Sequence, residues 1–146
     1  MKVSLDSIDI QLLQAFEKNG RISISELSQQ IDMSAPSIAE RVRRLGEKGV
    51  IKNFSVNLDI HSLGYNLEAI VRIKPRPGEL QTVENMILSQ PRFTACDRVT
   101  GDDCFIARLA LKSVQELESI LDPLHDKAET NTSIIQSSLI KNRNPI

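Results

Sequence analysis

The sequence predicts an α+β protein in two parts. A three-helix helix-turn-helix domain of winged-helix type spans residues 1–58, and a ferredoxin-like βαββαβ domain spans 67–146, with a linker at 59–66. Three observations carry that prediction. Apolar residues recur at helical spacing through the first 48 residues, interrupted by a three-residue turn. The period drops to two after Gly49. From Leu67 onward, strand-like runs and amphipathic helices follow in the order strand, helix, strand, strand, helix, strand.

The first helix, within Ser4 to Gly20, places Ile8, Leu12, Leu13 and Phe16 on one face. Asp6 and Asp9 near its start and Lys18 near its end match the helix dipole. The second opens sharply at Ser23, because Ser23 and Glu26 have capping-box spacing and Ile22 and Leu27 form a hydrophobic staple. It runs to about Ile31. Asp32-Met33-Ser34 then leaves room only for a tight turn, and Ser34 caps a third helix opened by Ala35 and Pro36. That helix ends near Lys48, with Gly49 as its left-handed terminator.

Phe54, Val56 and Leu58 alternate with polar residues and read as a wing or connector strand. Asp59 to Tyr65, which contains Gly64, reads as linker. The second half reads as strand Ala69 to Lys74, helix Glu79 to Ser89, strand Phe93 to Thr100, turn Gly101 to Asp103 and strand Cys104 to Leu111. A helix capped by Ser113 with Glu116 follows, and then a last strand from about Thr132 to Ile140. Both helices are expected on one face of an antiparallel sheet. The first strand has apolar residues on both sides, so its second face calls for a partner.

Composition is that of an ordinary globular chain: 146 residues, 40% hydrophobic and 25% charged, with net charge −1. No apolar run reaches the ~18 residues of a membrane span, and acids stand where a signal peptide wants an apolar core, so a cytoplasmic protein is expected. Cys96 and Cys104, without a second cysteine pair or flanking histidines, read as reduced core thiols. No metal site or cofactor is expected.

The chemistry lies on the third helix. At about 100° per residue, Ile38, Val42 and Leu45 share one face, and Ser37, Arg41, Arg44 and Lys48 share another. Between Arg41 and Lys52 stand five bases against one acid, a local charge of +4, although the first 60 residues hold eight of each. Focused positive charge on the second helix of a helix-turn-helix is what major-groove docking on double-stranded DNA requires. Ser34, Ala35, Pro36 and Ser37 would face bases, with Glu40 able to accept from a cytosine amino group. Arg41, Arg43, Arg44 and Lys48 would neutralise phosphates. On this reading Arg41→Ala with Arg44→Ala abolishes binding and leaves thermal unfolding nearly unchanged. A basic stripe alone would equally describe a solvated helix face; the capped three-helix context favours DNA.

These residues resemble the leucine-responsive and asparagine-responsive regulator family, Lrp/AsnC. The resemblance is carried by Leu5-Asp6-Ser7-Ile8-Asp9, Asn19-Gly20-Arg21-Ile22-Ser23 and Glu26-Leu27-Ser28, and then by Met33-Ser34-Ala35-Pro36-Ser37, Arg41-Val42-Arg43-Arg44-Leu45, Gly49-Val50-Ile51 and Leu63-Gly64. It covers essentially the whole chain. It implies a transcriptional regulator with an ACT-like (RAM) second domain that pairs across its sheet into homodimers, often stacked into octamers. It also implies an amino-acid effector held between subunits near the loop joining the second and third strands of that domain.

In this family the loop tends to Gly-Asp-x-Asp. Here it is Thr100-Gly101-Asp102-Asp103-Cys104, so Cys104 stands where the second acid falls. Gly101 permits a tight backbone, and Asp102 or Asp103 could accept from an α-ammonium group. The same residues also suit an ordinary polar hairpin turn. Asp97 and Arg98 are adjacent in a strand and point to opposite faces.

Two other classes were weighed. Some siroheme decarboxylases resemble this family in both halves, but only His61 and His125 supply imidazoles, and both read as surface histidines. No phosphate loop or nucleophile elbow is present. A protein-docking module is the third class, and the focused charge of the third helix argues against it.

Overall fold

In the computed structural model, which describes residues 3–102 and 104–146, nine elements follow in order. They are α1 (Ser7–Lys18), α2 (Ile24–Ile31), α3 (Ala35–Glu47), β1 (Leu67–Pro75), α4 (Leu80–Ser89), β2 (Phe93–Arg98), β3 (Phe105–Leu111), α5 (Val114–His125) and β4 (Ala128–Ile134). The chain divides into two units: Met1–Asn57 with Ile140–Ile146, and Leu58–Leu139. The last seven residues, expected with the second domain, thus group with the first, where the Asn144 amide donates to the Glu17 carboxylate at 2.9 Å.

Unit 1 is organised by its caps. Asp6 accepts from the Asp9 amide at 2.8 Å while Asp9 accepts from the Asp6 amide at 3.3 Å, a reciprocal box that starts α1. Ser23 and Glu26 do the same for α2. The turn from α2 to α3 passes through Asp32 in the left-handed region, φ 54°. The end of α3 closes through Gly49 at φ 69°, with the Val50 amide reaching back to the Leu45 carbonyl at 2.9 Å. Glycine takes that left-handed conformation without a side-chain penalty, which suits Gly49 to the end of the helix. Leu12, Leu27, Ile38 and Leu45 form the core where the three helices meet.

Unit 2 is a four-stranded antiparallel sheet in the order β2-β3-β1-β4. Ala69, Val71 and Ile73 of β1 lie opposite Leu109, Ala107 and Phe105 of β3, all buried. The same face packs on Val83 and Ile87 of α4 and on Leu117, Leu121 and Leu124 of α5. Both helices therefore cover one side, as the sequence predicts. The alternate residues Ile70, Arg72, Ile106 and Arg108 face the other side, where Arg108 pairs with Glu68 at 3.2 Å.

Three details differ from expectation. The last strand is Ala128–Ile134, not Thr132 to Ile140: its polar sequence is held by pairing with β1 from Pro75–Ala128 to Ala69–Ile134, so tertiary pairing overrides its weak apolar pattern. Residues 52–59 carry no regular secondary structure and join no described strand, so the expected wing or connector strand is not formed. Phe54 instead meets Phe16 edge-on at 5.1 Å, while Val56 and Leu58 stay exposed. Cys96 is an exposed strand residue rather than a core thiol; Cys104 is half-buried against the unit 2 core.

The linker is a defined turn. Asp59 accepts from the His61 amide at 3.1 Å and the Ser62 hydroxyl at 2.5 Å, and Tyr65 then docks under Arg92, whose guanidinium lies 4.8 Å from the ring centroid. Among the described residues no helix is long and apolar enough to cross a membrane.

Candidate nucleic-acid interface and effector turn

Helix α3 begins at Ser34, whose hydroxyl accepts from the Ser37 amide at 3.4 Å and lies 2.8 Å from the Ser37 hydroxyl. Ala35 and Pro36 fill the first turn, and all four residues are exposed. A capped, unobstructed helix start of this kind leaves small side chains and a positive dipole end free to approach a ligand.

The three arginines of α3 have unlike surroundings. Arg41 does not join the free basic stripe: its guanidinium reaches Asp6 at 2.7 Å and Asp9 at 2.8 Å, with its side chain 22% exposed. Those bonds hold the Asp6 carboxyl below its ordinary range, after the Asp9 amide that contributes most, and raise the Arg41 guanidinium further. Asp9 is itself buried. Removing Arg41 would leave the buried Asp9 without its cation, so Arg41→Ala with Arg44→Ala should lower the unfolding temperature instead of leaving it nearly unchanged. Sequence reading treated Asp6 and Asp9 as dipole partners only. The missed signal is that Asp9 sits three residues before Leu12 on the inward stripe, where a carboxylate needs a cation.

Arg43 is exposed and forked. It donates to Glu40 through Nε at 2.9 Å and Nη2 at 2.7 Å, and Nη1 bonds Glu47. Glu40 is pulled below its ordinary pKa by Arg43, and Arg43 is pushed up mainly by Glu40. Glu40, expected to meet a cytosine, is thus engaged on its own helix. Arg44 and Lys48 are exposed and pair with no carboxylate among the described residues. They flank Ser37 on one side of α3, and Lys52 lies exposed beyond the helix.

The β2–β3 hairpin is closed by the Val99 amide on the Cys104 carbonyl at 2.9 Å. Thr100, Gly101 and Asp102 are exposed at its tip, and Gly101 takes φ 106°, a conformation that excludes side chains. Asp103, the other acid of the expected effector site, lies outside the described residues. Asp97 and Arg98 pair with Ile106 and Phe105 and so alternate across the sheet. Both imidazoles are exposed, His61 in the linker turn and His125 at the end of α5.

A helix-turn-helix with a capped basic helix, followed by a βαββαβ sheet domain, defines a DNA-binding regulator with a separate second domain. Residues 5–52 match the winged helix-turn-helix DNA-binding model, and residues 68–145 match that of the Lrp/AsnC ligand binding domain. The chain belongs to the Lrp/AsnC family of transcriptional regulators.

It is similar to the HTH-type transcriptional regulator LrpC of Bacillus subtilis, 28% identical over 94% of this chain and 95% of that one. The solved LrpC structure matches with a TM-score of 0.89 over 97% and 100% of the two chains. The HTH-type transcriptional regulator FL11 of Pyrococcus furiosus is 31% identical over 84% of this chain and 81% of its own. A feast or famine regulatory protein from M. tuberculosis, solved complexed with L-methionine, is 26% identical with a TM-score of 0.87, covering 97% of this chain and 98% of that one.

Proposed function

We propose that this chain lays α3 in the major groove of duplex DNA and controls transcription in the cytoplasm as a homodimer that assembles further into an octamer, without catalysing a reaction. The observation that carries this reading is the pairing of an exposed, capped helix start at Ser34 to Ser37 with Arg44 and Lys48, cations without carboxylate partners on the adjacent flank. Ser34, Ala35, Pro36 and Ser37 face base edges; Arg44 and Lys48 meet phosphates. Arg41 holds the helix in place instead of touching DNA.

The second copy covers the open sheet face that carries Ile70 and Ile106. The effector is an amino acid at the Thr100–Cys104 turn, with Asp102 or Asp103 accepting from the α-ammonium and turn amides serving the carboxylate. The M. tuberculosis relative solved with L-methionine supports an amino acid as the ligand class. Cys104 cannot act as an ion-pair acceptor as an acid would, so ligand preference shifts away from effectors that need a second carboxylate. A siroheme-decarboxylase-like role draws no support from imidazoles that lie exposed at His61 and His125.

Selection of genomic fragments by the purified full chain, at two salt concentrations and with or without the twenty amino acids, tests the reading. Enrichment of a shared, roughly palindromic site with steep salt dependence is expected, together with an amino-acid effect. Absence of enrichment under every condition would refute DNA control.

A further inference from the structure

Arg43 points to a function for the acids beside it. At about 100° per residue, Pro36, Glu40, Arg43 and Glu47 lie opposite the core-facing Ile38–Val42–Leu45 stripe, on the outermost face of α3. That face would enter deepest into a groove, yet its single cation is bracketed by two carboxylates at i−3 and i+4. Charge on α3 is thereby sorted by position. The outer face carries one base and two acids, and the flank carries Arg44 and Lys48, neither ion-paired among the described residues although Arg44 also helps to lower the Glu40 pKa.

Such sorting matters because phosphate attraction is indifferent to sequence. Each cation that reaches a phosphate adds to binding everywhere, whereas base contacts add to it only at the right site. An unoccupied Arg43 on the outer face could reach across to a backbone on random DNA. With Glu40 holding Nε and Nη2 and Glu47 holding Nη1, it does so only by giving up both acids, which would then face the phosphates uncompensated.

We propose that Glu40 and Glu47 are specificity-determining residues of the DNA-binding surface: by occupying Arg43 and placing net negative charge on the outer face of α3, they suppress binding to non-cognate DNA. This rests on the reading of α3 as the recognition helix. The acids raise discrimination by weakening the wrong complexes rather than by strengthening the right one. Glu40 and Glu47 are exposed, so the fold does not depend on them.

The test uses the full-length protein with two labelled duplexes, one recovered by genomic selection and one of random sequence, titrated across a series of salt concentrations. For Glu40→Gln with Glu47→Gln, affinity for the random duplex rises roughly eightfold near 0.1 M salt, and its log–log salt slope steepens by about 0.9, the release expected for one added phosphate contact. Affinity for the selected duplex rises less, so discrimination falls. Adding Arg43→Ala removes most of the gain and the added salt slope, because the freed guanidinium supplies them; the small remainder is the loss of the face's net negative charge. Unchanged random-duplex binding, an equal gain on both duplexes, or a gain undiminished by Arg43→Ala overturns the proposal. Arg44→Ala with Lys48→Ala serves as the separate control: if that variant binds both duplexes like the wild type, the assignment of α3 itself is wrong.

Discussion

The two units both cap helices with serine, Ser23 and Ser34 in unit 1 and Ser113 in unit 2, but fix their geometry by different means. Among the described residues, unit 1 buries four apolar side chains at its centre, whereas unit 2 buries thirteen between one sheet face and two helices. Burial is non-directional, so a small core constrains helix orientation weakly. Unit 2 obtains direction from its strand ladders. Unit 1 has none and relies on two reciprocal capping boxes and on the Asp6–Arg41–Asp9 clamp that ties α1 to α3. Part of the positive charge of α3 is therefore structural, and counting bases along the sequence overstates what is free for DNA.

The small core of unit 1 gives the largest expected effect. Leu45→Ala removes one of its four members and should cost about 2–5 kcal/mol. Hydrogen exchange should then show protection lost in α2 while β3 amides keep theirs; equal loss in both would mean that the units do not unfold separately.

Next in size is the clamp. Arg41→Ala should destabilise unit 1 by about 1–3 kcal/mol, because it leaves the buried Asp9 without its cation. Thermal unfolding of this variant beside Arg44→Ala, which should be near neutral, separates the structural arginine from the free one. Ser23→Ala, which breaks the capping box of α2, should cost about 1 kcal/mol by the same measurement.

The smallest effect is on pH dependence. The folded pKa of Asp6 is depressed, so its contribution is complete above the ordinary value of 3.8 and is lost as pH falls through the lower folded value. Acid titration should show that loss below pH 3.8, and Arg41→Ala should reduce it only in part, because the Asp9 amide is the larger cause.

Most of this architecture was legible in the sequence because local chemistry and global fold agree. Ser23 with Glu26, Ser34 before Ala35-Pro36, and Gly49 each mark a boundary within a residue of where it lies. Legibility failed where long-range pairing decides. Strand β4 is polar and exists through its ladder with β1, so its apolar neighbours Leu139 and Ile140 drew the expected strand too late. The run from Phe54 to Leu58 alternates like a strand but pairs with no described strand. For the site, the helix and its basic flank were readable, while the partners of Arg41 lie 32 and 35 residues away and emerge only when α1 packs on α3. Glu40 was legible as a charge but not as the partner of Arg43, since both were read against DNA before being read against each other.

We propose that Arg44 and Lys48 are the phosphate-binding cations of α3. Anisotropy titrations of a genomically selected duplex against salt, with wild type and Arg44→Ala/Lys48→Ala, test it most directly. The log–log slope should become shallower by about 1.8, two phosphate contacts at ~0.9 each, with thermal unfolding unchanged. A variant whose affinity and slope match the wild type would contradict the account.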